Sequence, residues 1–336
     1  MATAARGRAG TLLAMRAVIC QQYGPPEDLV VEDLPDPSPG PGQVVVRVRA
    51  AAVNFPDFLL IDGKYQIKIP PPFTPGSELA GDVIAVGEGA DYAVGDRVSG
   101  ASFIGGFAEQ AAVPAVALTA IPDGIDYAAA AGFGITYRTA YHALRSVAAV
   151  QPDDPVVVLG AGGGVGLAAV DLGVALGARV IAAASSPEKL AVCSERGAAA
   201  TIDYDREDLK QAIRDITGTG AAAVLDPVGG PYAEQALRSL ARGGRFITLG
   251  YASGTIPAIP LNLVMLKGIT VCGMEIRTFA DDFPTENTRD LAELAELFAS
   301  GRVSPYIGAR FPLDETAAAV RYVADRKAIG KVIVDI

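Results

Sequence analysis

Tryptophan is absent from the 336 residues, histidine occurs once and cysteine three times. With aromatics at only 7%, the core has to be assembled from Ala, Val, Leu and Ile. Cys20, Cys193 and Cys272 are odd in number and far apart. That usage fits a reducing compartment, with a cytoplasmic location expected, and it offers no CxxC pair for a metal. Long apolar runs are missing as well. The stretch from Val165 to Gly177 is interrupted by Asp171, short of the roughly 18 apolar residues that signal a transmembrane helix. Basic clusters are missing too: 28 Lys and Arg face 38 Asp and Glu, for a net charge of −10. Neither nucleic acid nor an anionic membrane is therefore expected as a partner. Intrinsic disorder is excluded, because half the residues are apolar and only 20% are charged.

What is present divides by rhythm. At roughly 150 residues per domain the length suits about two domains, each able to fold without disulfides or a structural metal. The first 14 residues, MATAARGRAGTLLA, contain Arg and no acid; they read as a flexible extension, from an upstream start or a transit-peptide remnant. From Met15 to about residue 122, short β-type runs such as QVVVRVRAAAV and ELAGDVIAVG are punctuated by Gly and Pro, which predicts a β-rich, barrel-like domain. From about 123 to 275, strand-like runs (Val156–Gly160, Arg179–Ala184, Ala200–Tyr204, Ala221–Val228, Gly244–Gly250, Gly268–Met274) alternate with helical stretches such as Pro187–Arg196 and Asp208–Thr217. This predicts a doubly wound α/β domain with a parallel sheet covered on both faces. In the last part, 276–336, Ile276–Asn287 reads as a loop. Asn287 then reads as an N-cap, with Leu291, Leu294, Leu297 and Phe298 on one helical face and Gly301 as the stop. A second helix opens at Asp314. The closing strand KVIVDI is too short to stand alone and is expected to join the N-terminal β domain.

The densest signal is VVVLGAGGGVGLAAV, Val156 to Val170, with five glycines in the seven residues 160–166. A buried strand, a Gly-rich turn and a helix in succession let the backbone approach a pyrophosphate at the helix N-terminus. The strict GxGxxG expression is not met; the relaxed frame Ala161-x-Gly163-x-x-Gly166 is. The bland alternative is a packing turn, which so many glycines would weaken. Roughly 20 residues on, where an NAD site would place Asp or Glu, the chain reads AAASSPEKL. Ser185, Ser186 and Lys189 are small or cationic and suit a 2′-phosphate, so NADPH is the expected cofactor. Ser186 also fits an N-cap before Pro187 at the first helical position.

Together, AAVNFPDFLLIDGKY, PFTPGSELAGDVIAVGEGADYAVGDRV, TYRTAYHAL, GAGGGVGLAAV, DPVGG, LGYASG and AIGKVIV resemble the zinc-free, quinone-oxidoreductase branch of the medium-chain dehydrogenase/reductase superfamily, from Met15 to Ile336. The resemblance implies a GroES-like domain (15–122 and 276–336), a Rossmann domain (123–275), NADPH, and a cleft between them. Zinc-dependent relatives carry Cys and a His–Glu pair where this chain has Asn54 to Asp57 and Gly76-Ser77-Glu78. No zinc site is expected, since a catalytic zinc needs about three protein ligands. Glu78 is read as structural, and His142 as a partly exposed helix residue.

By the same resemblance, Asn54 and Tyr65 are the catalytic candidates at the substrate end: Asn54 donating to a carbonyl or ribose hydroxyl, Tyr65 donating a proton or stacking on a flat ring. Thr139 is placed near the nicotinamide, in a segment where Arg138 replaces the family's usual Gly. Gly163, Gly164, Val165 and Gly166 would hold the pyrophosphate, and Tyr204 would flank the adenosine phosphate. Gly250, Tyr251 and Ala252 would border the nicotinamide ribose, and Lys331 would reach the cofactor from the C-terminal segment. The implied activity is NADPH-dependent reduction of quinones or α,β-unsaturated carbonyls. Two alternatives stay open: an enoyl-thioester reductase of the same superfamily, and a cofactor-binding or crystallin-like protein without turnover. A homodimer is expected through the apolar strand 268–274.

Overall fold

Strand Pro155–Leu159 is apolar at every position, and four of its five residues are fully buried because helices cover both faces of its sheet. It is central to a six-stranded, all-parallel sheet in the computed structural model, which describes residues 14–336. Beside it lie Arg179–Ala184 and then Ala200–Asp203 on one side. Ala221–Asp226, Leu240–Thr248 and finally Thr270–Gly273 follow on the other. Strand order therefore reverses between Pro155–Leu159 and Ala221–Asp226. That switch point is where doubly wound sheets open a crevice for ligands, outside the carboxyl ends of the strands.

The second body is a GroES-like β domain. Its sheet of seven strands is built around the eleven-residue strand Gln43–Val53. The closing strand Lys331–Asp335 pairs antiparallel with it, Val332 opposite Val53, so the C-terminus does return to the N-terminal domain. A separate hairpin joins Ala14–Ile19 to Val30–Pro35. The expected N-terminal extension lies outside the described residues except for Ala14, which pairs with Pro35. Among the described residues no helix is long and apolar enough to cross a membrane.

Several expectations are corrected. Asn287 is not an N-cap: the helix starts earlier, at Pro284, and runs to Ala299, because Pro is preorganised for the first helical turn. Its Leu294, Leu297 and Phe298 are buried as expected, and Gly301 ends it at φ +70°. The supposed loop after residue 275 contains a helix, Ile276–Asp282, too short and too mixed in pattern to read in advance. The helix expected to open at Asp314 begins as a single tight turn, Leu313–Glu315, and becomes α-helical at Thr316–Ala324. Gly268, expected inside a strand, is the left-handed cap of helix Leu261–Lys267, which shortens the edge strand to Thr270–Gly273. Phe279, Leu294, Leu297 and Val303 pack into the same core as Val156, Val158 and Leu167, so the segment from 276 to 303 leans on the parallel sheet.

Candidate active site

The phosphate end is made by backbone. Gly160 turns at φ +58°, Gly163 is the N-cap, and helix Gly164–Ala175 follows. At Gly163 an added Cβ would meet only the Gly160 carbonyl, at 3.4 Å, which leaves a cradle open in front of a twelve-residue helix N-terminus. Gly162 must lack a side chain for another reason: its Cβ would lie 2.6 Å from that of Lys189. Gly166 packs rather than binds. A Cβ there would sit 2.1 Å from the Gly160 carbonyl oxygen, and Gly166 does not line the cavity, whereas Gly163, Gly164 and Val165 do.

That cavity measures about 1580 Å³ and runs from the glycine turn across the switch point to the β domain. Thr139, Ser185, Lys189, Tyr204, Gly250, Tyr251, Ala252, Asn54, Tyr65 and Lys331 all line it. Ser186 does not; its hydroxyl accepts from Lys189 N, so it serves as the N-cap of helix Pro187–Glu195. Lys189 Nζ donates to the Arg326 carbonyl at 2.6 Å, and Gly330 N donates to the Gly162 carbonyl at 2.8 Å. The turn from 325 to 330 thereby brings Arg326, also a lining residue, beside Lys189 and Tyr204. Sequence reading missed Arg326. It lies 137 residues from Lys189, and only the fold joins them.

At the opposite end is a buried polar network. Asn54 N donates to Asp57 Oδ2 at 2.7 Å, closing the first turn of helix Phe55–Ile61. Asn54 Nδ2 reaches Glu78 Oε2 at 3.2 Å and Ser77 Oγ at 3.3 Å, while Asn54 Oδ1 accepts from Lys331 Nζ at 2.7 Å. Lys331 also pairs with Glu78 at 3.1 Å, with both side chains almost wholly buried. Glu78 Oε1 accepts from Ile135 N at 2.7 Å, tying the helix Tyr127–His142 to the β domain. The carboxylate is thus structural, as expected. Lys331 faces the cavity but holds Asn54 and Glu78. Asn54 has its amide donors engaged inward and keeps a lone pair on Oδ1, so the expected donation to a carbonyl gives way to acceptance, as from a ribose hydroxyl. Asp57 is completely buried, which pushes its carboxyl up to about 6 against the donation from Asn54 N.

Tyr65 is half-buried between Phe103, 6.2 Å away centroid to centroid, and the Arg277 guanidinium, 6.0 Å from the ring. Burial raises its pKa, so the phenol stays protonated at neutral pH. His142 is corrected: it is 1% exposed, its Nδ1 lies 2.9 Å from Asp290 Oδ2, and its ring stacks on Phe279.

The region that would hold zinc offers an amide, a hydroxyl and two carboxyl groups, Glu78 already matched by Lys331 and Asp57 engaged by Asn54 N. Among the described residues, no group of three His, Cys, Asp or Glu could hold a metal. These residues do not fit a zinc ion.

Two family models match the chain: the alcohol dehydrogenase GroES-like domain over residues 40–123 and the zinc-binding dehydrogenase over 164–295. A quinone oxidoreductase-like protein 2 homolog from Nematostella vectensis is 40% identical over 326 residues, covering 95% of this chain and 88% of that protein. A quinone oxidoreductase from Pseudomonas aeruginosa is 34% identical, with 93% and 96% covered. The structure of Escherichia coli quinone oxidoreductase complexed with NADPH superposes with a TM-score of 0.88 at 28% identity, over 96% of this chain and all of that one.

Proposed function

The chain belongs to the medium-chain dehydrogenase/reductase superfamily, in its quinone oxidoreductase-like branch, and from that premise we propose that it moves hydride from NADPH to quinones or α,β-unsaturated carbonyl compounds without a metal. The observation that carries this reading is the Lys331–Glu78–Asn54 network, which occupies the metal-ligand region at one end of the cavity. The open glycine cradle supports pyrophosphate binding. Lys189 and Arg326 support recognition of the 2′-phosphate.

NADPH, when bound, supplies the hydride. The chain's own task is placement and charge. Gly164 and Val165 present the backbone N–H groups of the helix's first turn, Thr139 and Gly250 to Ala252 bound the nicotinamide end, and Asn54 Oδ1 accepts a ribose hydroxyl. Reduction of an enone also consumes one proton, and Tyr65, protonated and lining the cavity, is placed to donate it.

The test is NADPH consumption by purified protein with a panel of quinones and enones, with and without a chelator. Turnover that survives chelation is expected, with far less than one zinc per chain. Cofactor binding without oxidation by any acceptor would instead identify a non-catalytic binder. Stoichiometric zinc lost together with activity would overturn the metal-free reading.

A further inference from the structure

The cavity follows one helix beyond the end assigned to the nicotinamide. Ile135, Thr136 and Thr139 line it on helix Tyr127–His142, and so do Ser146 and Val147 in the wider turn Ala143–Val147 that continues the helix. At 1.5 Å per residue, Thr139 to Val147 spans about 10 Å. Met274, Ile276, Phe279 and Phe283 also line this part and supply apolar surface. Phe279 is held in place, its ring centroid 4.0 Å from that of His142 and 5.2 Å from that of Phe283. The whole cavity, at about 1580 Å³, exceeds the roughly 300–1,000 Å³ of ordinary ligand pockets. There is room for an extended acceptor beside a cofactor.

Polar groups along this branch are either engaged already or negative. Ser146 Oγ donates to Asp290 Oδ2 at 2.5 Å and accepts from Arg289 Nη2 at 2.7 Å. Glu275 is paired with Arg277 at 2.7 Å. Lys64, which lines the cavity beside Tyr65, is paired with Asp62 at 2.5 Å. Asp282 and Glu286 line the cavity with no ion-pair partner among the described residues. An anion in this branch would meet two uncompensated carboxylates, whereas an alkyl chain would leave water for apolar walls.

We propose that the acceptor carries an extended, uncharged alkyl tail, which lies against Val147 and Phe283 while its carbonyl end faces the nicotinamide. This rests on the reductase reading above and narrows its substrate class to neutral, long-tailed acceptors.

The first arm of the experiment needs no turnover. Calorimetry measures pentan-2-one, decan-2-one and 9-oxodecanoate binding to the full chain with NADP⁺ present. Affinity should rise roughly fourfold for each methylene that enters the branch. The terminal carboxylate of 9-oxodecanoate should cost roughly tenfold against decan-2-one. Val147→Phe fills the branch from the helix side, and Phe283→Ala removes part of its apolar wall. Each should lower the ratio of decan-2-one to pentan-2-one affinity by roughly tenfold. Melting temperature serves as the control for folding. Val147 packs against the core, so if its variant unfolds, Phe283→Ala decides, because Phe283 is 50% exposed. The second arm compares NADPH consumption with pent-3-en-2-one and dec-3-en-2-one, where kcat/KM should favour the longer enone. If neither enone is reduced while decan-2-one still binds more tightly than pentan-2-one, the reductase reading fails and the tail site stands. Equal affinity for the two ketones, 9-oxodecanoate binding as tightly as decan-2-one, or a chain-length preference unchanged in both variants would overturn the proposal.

Discussion

Asp57 shows how a single residue can tie stability to pH. Burial raises its carboxyl to about 6 in the folded chain, while an exposed Asp titrates near 3.9. Between those two values the native state binds more protons than the unfolded chain, so stability falls as pH rises through that window. Replacing Asp57 with Asn removes the titration and keeps an acceptor for Asn54 N. The stability of Asp57→Asn relative to wild type should rise by about 1–3 kcal/mol between pH 4 and pH 7, read from urea unfolding at both pH values. A constant difference would show that Asp57 titrates as if exposed.

Lys189 and Arg326 make the second argument at this scale. A charge-assisted hydrogen bond to phosphate is worth roughly 1.5–3 kcal/mol, or about one to two decades of affinity. Lys189→Ala and Arg326→Ala should each raise the NADPH dissociation constant by that order and leave NADH nearly unchanged. Equal losses for both cofactors in Lys189→Ala would mean that Lys189 serves only to pin the 325–330 turn, through the Arg326 carbonyl, to the glycine loop.

Among elements, the glycine turn was legible because its signal is local: strand, turn and helix follow one another within Val156–Val170. Which glycine binds and which packs was not legible. Gly163 and Gly166 look alike in sequence, and only the approach of the Gly160 carbonyl separates them. Gly166→Ala places a Cβ against backbone that has little room to yield, so it should lower the melting temperature and NADPH affinity together. Gly163→Ala should weaken cofactor binding with little loss of stability, because its Cβ points into open cradle. Thermal melts and cofactor titration of both variants check the contrast. Contacts between distant elements escaped the sequence for a related reason. His142 reads as one helix residue among many until Pro284–Ala299 brings Asp290, 148 residues later, against it. Lys331 was legible as a cavity residue, but its pairing with Glu78 depends on the closing strand docking beside Gln43–Val53.

At the scale of the whole molecule, the parallel sheet ends in an unguarded edge. Among the described residues Thr270–Gly273 pairs only with Leu240–Thr248, and Val271 is 42% exposed. Of the charges that flank this strand in sequence, Lys267 donates to the Arg238 carbonyl at 2.8 Å and Glu275 is paired with Arg277. Beside the edge, helix Leu261–Lys267 leaves Leu261 78%, Met265 73% and Leu266 63% exposed. Open strand edges template association unless charge, proline or a cover blocks them, and large apolar patches mark interaction surfaces. We propose that a second copy provides the cover, with the two edge strands antiparallel across a two-fold axis and the two helices packing their apolar residues beside them. Light scattering at micromolar concentration should give about twice the 34.5 kDa chain mass. Val271→Pro removes a backbone donor and should break the pairing. Leu261→Glu combined with Met265→Glu attacks the helix without touching the strand. Both variants should run as monomers that still bind NADPH, because the glycine turn lies at the far side of the switch point from this edge. A wild-type monomer across that concentration range, or dimers in both variants, would place the contact elsewhere.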